Sequence, residues 1–278
     1  MEKELLCREI AQGATRALIR EVTLTPKPGL VDMWDTGSHQ DLTLSMMKDS
    51  AYALYDTFYD MAMLCYGEVP SLTIREKFGE IGRQGEAMMF AVTGGVNTHK
   101  GAIWSLGLLG AACAMLKGIG TPEELCLKAG ELAKIEDRFV PMLETNGSRA
   151  VKKYGLRGAR QEAQEAFPHI LSASLPVYQR ESANGEKRAA LLALLSLIAT
   201  LEDTCLVHRG GIEGLKYAQA YAYRLLKDKN VAGMVKMNQD FITRHLSPGG
   251  SADLLAATFF ISTLQQLQSK HLHVIRGV

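Results

Sequence analysis

"HKGAIWSLGLLGAACAML", residues 99–116, is the segment on which the fold turns. From Ala102 to Leu116 its side chains are almost unbroken in apolar character. A helix that is apolar all round belongs in an interior. A bilayer crossing needs roughly 20 apolar residues, so this run is too short to be a membrane span. Gly107 and Gly110 within it suit close helix packing. The segment predicts a central buried helix, and the rest of the chain supplies the helices that cover it.

Leu6, Ile10, Ala14, Ala17 and Leu18 recur at helical spacing over Glu2–Val22. Pro26 and Pro28 then exclude a helix, leaving "TLTPKPGLVD" as an extended loop. A helix is expected over 45–64. Another starts near Thr73, with Thr73 and Glu76 spaced as a capping box. "TPEE" is the clearest start, with Thr121 as N-cap, Pro122 at the first helical position and Glu124 at the third. Further helices fit 157–175, 186–201, 212–226, 231–244 and 251–268. Strand patterns are nearly absent, and no repeat or linker divides the chain. The expectation is an all-α fold, one domain over residues 1–278 with about ten helices, whose function sits in its glycine-rich breaks.

Hydrophobic residues make up 47% and charged residues 22% of the 278, as in an ordinary globular protein. Basic residues number 31 against 30 acidic ones, so no global field suits nucleic acid or an anionic membrane. The five cysteines are scattered without a CxxC pair, and neither a disulfide framework nor a zinc site is expected. The opening "MEKELLCREI" lacks the apolar region of a signal peptide. A cytoplasmic protein, bound to neither membrane nor nucleic acid, is the expectation.

Four breaks carry candidate chemistry. "TPKPGLVD" sets Lys27 and Asp32 on a loop stiffened by prolines; a rigid connection is its plainest reading. "TGGVNTHK" places Gly94 and Gly95, whose N–H groups can converge on an anion, before Asn97, His99 and Lys100. A capped helix start with a core histidine is the alternative. A lysine at a helix N-terminus is electrostatically unfavourable without a nearby anion, which favours a ligand. "YGLRGARQEAQEAF" spaces Arg157 from Arg160 and Glu162 from Glu165 by three, putting each pair on one helical face. Two carboxylates on a face suit magnesium, and a solvated face with local ion pairs is the competing reading. "EDTCLVHRGGIEGL" and "LSPGGSADLLAA" bring Asp203, Arg209, Gly249, Gly250, Ser251 and Asp253 to glycine turns that feed helices. Arg209 suits bidentate capture of phosphate, whereas Ser251 and Asp253 also suit plain capping. Glycine-pair helix starts with basic residues nearby point to a polyphosphate ligand. No Walker A, GxGxxG, HExxH or GxSxG pattern is present.

"LTPKPGLVD", "TGGVNTHKGAIWSLGLL", "YGLRGARQEA", "DTCLVHRGG" and "SPGGSADLLAA", in this order, together resemble the triphosphoribosyl-dephospho-coenzyme A synthase family over most of the chain. Two positions depart from its pattern: Gln161 stands where glycine is usual, and Cys205 where asparagine is common. The resemblance implies a predominantly helical transferase acting on ATP and 3′-dephospho-coenzyme A. The 2′-hydroxyl of dephospho-coenzyme A attacks the ATP ribose at C1, adenine leaves, and the triphosphate stays on the product. That product is a prosthetic-group precursor for the acyl carrier protein of citrate lyase or malonate decarboxylase. On this reading His99, Asp32 and Asp203 are the catalytic candidates, with His99 or Asp32 as base. Lys27, Lys100, Arg160, Arg209, Ser251 and the backbone of Gly94, Gly95, Gly249 and Gly250 would hold substrate phosphates, and Asn97 a ribose hydroxyl. Mg2+ would be held by Glu162 and Asp203, then by Glu165 and Asp253. The rivals are a helical nucleotide phosphohydrolase or kinase, which releases phosphate products and no adenine, and a non-catalytic nucleotide- or coenzyme-A-binding partner of an acyl carrier protein.

Overall fold

The computed structural model describes residues 2–141 and 145–276, with side chains described as far as residue 265. The apolar segment forms α5 (Lys100–Met115), buried at every position from Ala102 to Met115 except Trp104. Around it pack α1 (Lys3–Thr23), α3 (Tyr55–Cys65), α4 (Leu72–Val92), α6 (Pro122–Lys134) and α13 (Gly249–Arg276). The glycines of α5 permit this closeness. A Cβ on Gly107 would lie 2.7 Å from Met61 Sδ of α3, and one on Gly110 would lie 3.0 Å from Ile10 Cγ2 of α1. A second inner helix, α10 (Glu186–Thr200), is buried from Ala189 to Ile198 against α9 (Leu175–Glu181), α11 (Thr204–Lys227) and α13. The fold is all-α, and among the described residues there is no strand.

Several expected helices are divided or shifted. The helix expected over 45–64 is two, α2 (Leu44–Ala53) and α3, meeting at Leu54 with neither glycine nor proline at the break. The stretch 157–175 holds the short α8 (Ala159–Gln164) and a π-helical turn, Ile170–Ser174. α7 (Asn146–Tyr154) was not anticipated. Ser71, and not Thr73, caps α4, accepting from Ile74 N at 3.3 Å. The capping box at Thr121 forms as expected: Glu124 N donates to Thr121 Oγ1 at 3.3 Å and Thr121 N to Glu124 Oε2 at 2.8 Å. α11 begins at Thr204, well before residue 212, and bends at Gly211, whose φ of 63° suits glycine. α12 (Met234–Thr243) lies within the expected span.

No single helix among the described residues is long and apolar enough to cross a membrane. All five cysteines are free. Burial pushes the thiols of Cys65, Cys113 and Cys126 up to about 12, which leaves them inert core groups.

Candidate active site

The apolar stripe of α1 continues in phase to position 21, where a glutamate stands. Glu21 is buried and pairs with Lys27 Nζ, itself only 1% exposed. Burial pushes the Glu21 carboxyl up and the lysine opposes that shift. Lys27 belongs to the loop after α1, whose turns are tied by Asp32. That carboxylate accepts Lys27 N at 2.8 Å, Trp34 N at 2.7 Å and Asp35 N at 3.3 Å. Asp32 is therefore committed to its own loop, which argues against the role of base.

Three helix N-termini, those of α5, α11 and α13, meet at Asp203 and Asp253. Asp203 caps α11, accepting Cys205 N at 2.9 Å and Leu206 N at 3.4 Å. The same carboxylate reaches the start of α13, accepting Gly250 N at 3.3 Å, Ser251 N at 2.8 Å and Ser251 Oγ at 2.9 Å. The anion at these two N-termini is thus the protein's own, as helix dipoles favour. Gly250 N and Ser251 are occupied, and Gly249 serves close packing, since a Cβ there would meet Cys205 Sγ at 3.0 Å. Burial pushes Asp203 up against those hydrogen bonds. Asp253 sits over the first turn of α5: a Cβ on Gly101 would lie 2.1 Å from its Oδ2. Burial raises the Asp253 carboxyl well above its ordinary range, with Glu21 and Asp203 adding repulsion. Among the described residues nothing donates a hydrogen bond to it.

His99 opens α5. Its Nδ1 lies 2.9 Å from Ser50 Oγ, which also meets Thr98 Oγ1 at 2.6 Å, while its buried Nε2 has no protein partner. Burial, helped by the charge of Lys27, pushes this imidazole down to about 3, so it is neutral. Asn97 Oδ1 accepts Lys100 N at 3.1 Å, a capping role. Lys100 Nζ is half-exposed and pairs with Glu86 at 2.7 Å. Gly95 N closes the C-terminus of α4 on Phe90 O at 2.8 Å, so that N–H is unavailable to an anion; Gly94 is exposed beside it.

The third break lies apart from these contacts. Glu162 is buried and holds His169, accepting its N at 3.0 Å and meeting Nδ1 at 2.7 Å. Glu165 is exposed and accepts from Arg157 at 3.2 Å and Gln161 at 2.8 Å, so the two glutamates do not share a face. Arg160 is exposed and meets Glu136 at 3.5 Å. The expected magnesium set therefore does not assemble, and among the described residues no three His, Cys, Asp or Glu side chains form a metal site. The described residues do not fit a magnesium ion held by the protein.

The Glu162 bond raises the His169 imidazole above its ordinary 6.5. The folded protein then binds the proton more tightly than the unfolded chain. This stabilisation is full below about pH 6.5 and is lost as pH rises through the folded value. His169→Asn is expected to flatten the fall in melting temperature between about pH 6 and about pH 8; an unchanged slope refutes this.

Sequence reading missed Glu21, Ser50 and His39. Glu21 had a signal, being a charge in phase with an apolar stripe. His39 joins the site through Arg209, which donates to Ser38 O at 3.0 Å and meets His39 Nδ1 at 3.0 Å. The site is thus an acid centre of buried Glu21 and Asp203 and half-buried Asp253 beside Lys27 and His99, with Lys100 and Arg209 among more exposed groups.

Comparison with known proteins shows the family of the chain. Residues 7–271 match the family model described as ATP:dephospho-CoA triphosphoribosyl transferase. A probable 2-(5''-triphosphoribosyl)-3'-dephosphocoenzyme-A synthase of Pseudomonas syringae pv. syringae is 45% identical over 270 residues, covering 94% of this chain and 92% of the relative. The 2-(5''-triphosphoribosyl)-3'-dephosphocoenzyme-A synthase of Klebsiella pneumoniae is 42% identical over 260 residues, covering 91% and 93%. A probable synthase of the same name from Azotobacter vinelandii is 43% identical over 272 residues, covering 94% and 93%. No solved structure matches the chain.

Proposed function

The chain belongs to the ATP:dephospho-CoA triphosphoribosyl transferase family, and from that premise we propose that its buried acid centre carries out the transfer. The enzyme moves the triphosphoribosyl group of ATP to dephospho-coenzyme A. The bond from ribose C1 to adenine breaks, and a bond from C1 to the acceptor hydroxyl oxygen forms. The hydroxyl loses a proton, adenine gains one, and no phosphate is released. As adenine departs, C1 acquires positive charge, as in glycoside cleavage.

One observation carries the assignment. Asp253 has an uncommitted carboxyl, half-buried over the first turn of α5 and next to the buried acids Glu21 and Asp203. All three carboxyls are raised by burial, but Glu21 has Lys27 and Asp203 its hydrogen-bond donors to favour the ionised form; Asp253 has neither, so it is the one to act as acid while its neighbours stabilise positive charge. Asp253 gives its proton to the leaving adenine and then recovers one from the attacking hydroxyl. Glu21 and Asp203 supply the negative field at C1. His99 stays neutral and offers Nε2 to a substrate hydroxyl or ring nitrogen. Lys100 and Arg209 hold the triphosphate. Magnesium enters only as the counter-ion of substrate ATP. The product is passed to the system that modifies an acyl carrier protein, and the free cysteines suit a reducing cytosol.

Incubating the protein with magnesium, ATP and dephospho-coenzyme A tests the reading by mass spectrometry. Adenine and a product heavier by a triphosphoribosyl unit are expected. Phosphate or pyrophosphate without adenine would instead support a phosphohydrolase. Gly101→Ala is expected to lower the adenine release rate about 100-fold, because its Cβ displaces Asp253 and a shift of about 1 Å is that costly. An unchanged rate would remove Asp253 from the chemistry.

A further inference from the structure

Arg209 differs from the other basic groups of the site in having no acid partner. Lys27 pairs with Glu21 and Lys100 with Glu86. Arg209 has two neutral acceptors instead, the carbonyl of Ser38 and the imidazole of His39. Among the described residues no carboxylate lies within ion-pair distance of its guanidinium. On the loop, exposed Asp41 has its Oδ1 3.9 Å from His39 Nδ1.

The tautomer of His39 follows from its neighbours. A guanidinium offers only donors, so Nδ1 facing it must be the acceptor. The ring proton then sits on Nε2 and is donated to Ser247 Oγ at 2.8 Å. Burial, followed by the charge of Arg209, pushes this imidazole down to about 4 and keeps it neutral. Ser38 is equally fixed, its one hydroxyl proton donated to Leu246 O at 2.6 Å, with Phe241 O also near Oγ at 3.1 Å.

A carboxylate in this place would orient the arginine and also cancel its charge. Neutral acceptors orient it and leave the charge intact, which is the arrangement of a preorganised anion receptor. We propose that His39 is a positioning residue which, with the Ser38 carbonyl, holds Arg209 fully charged and fixed for a phosphate group of the substrate nucleotide. The proposal rests on the transferase reading above.

Adenine release by wild type, His39→Ala, His39→Asn and Arg209→Ala is measured against ATP, and inhibition against inorganic tripolyphosphate. His39→Ala is expected to raise the KM for ATP and the inhibition constant of tripolyphosphate about tenfold, with kcat within about twofold. His39→Asn, whose amide oxygen can accept from Arg209, restores most of the loss. Adding His39→Ala to Arg209→Ala changes neither constant further. If the alanine variant does not fold, His39→Gln keeps the bond to Ser247 and loses the one to Arg209, and is expected to show the alanine effect. Unchanged constants in His39→Ala, a fall in kcat at constant KM, or a further loss in the Arg209→Ala background overturns the proposal. Failure of the reaction itself is seen separately, as absence of adenine from the wild-type assay.

Discussion

Asp253→Asn is expected to lower adenine release by about 10²–10⁴-fold, the contribution of a positioned acid, while making the protein more stable at neutral pH. Asparagine keeps the shape and loses the proton that adenine takes. The stability gain follows from linkage. The folded carboxyl holds its proton well above the ordinary 3.8, so the unfolded chain loses that proton first. The wild type is therefore progressively destabilised as pH rises above about 3.8 towards the folded value. Asparagine has no such charge to bury, and a gain of about 0.5–2 kcal/mol is expected. Thermal melts at several pH values, run with the adenine assay, check both halves. A variant that is inactive because it is destabilised would contradict the assignment.

Lys27→Met is expected to cost about 3–5 kcal/mol, since it leaves Glu21 as a buried, uncompensated acid. Glu21 would respond by holding a proton, which limits the loss. The double change Glu21→Leu with Lys27→Met removes both charges and is expected to recover most of the stability while remaining inactive. Urea unfolding of the single and double variants measures the coupling. A single variant within about 0.5 kcal/mol of wild type would show that the pair does not hold the loop to α1.

What the sequence shows depends on how local the cause is. α5 is legible because it is apolar on every side, and the start at Thr121 because a capping box lies within four residues. The break at Leu54 is not legible: neither proline nor glycine marks it, and the packing of α2 and α3 decides it. The glycine turns pointed to helix N-termini, two of which the protein's own Asp203 occupies. Their occupants were hidden, because Asp203 reaches Ser251 across 48 residues and no spacing rule reports that. Glu162 and Glu165 show the converse, a spacing that implied a shared face until the short α8 ended between them. His39 and Ser50 gave no pattern at all, each acting through partners distant in sequence.

The central claim divides the site into a buried centre that does the chemistry and an arginine that binds phosphate. Single-turnover adenine release at rising ATP, with dephospho-coenzyme A saturating, tests that division directly. Arg209→Ala is predicted to reach the wild-type rate constant once ATP is raised far enough, and Asp253→Asn to remain slow at every concentration. Recovery of Asp253→Asn at high ATP, with Arg209→Ala slow throughout, would contradict the account.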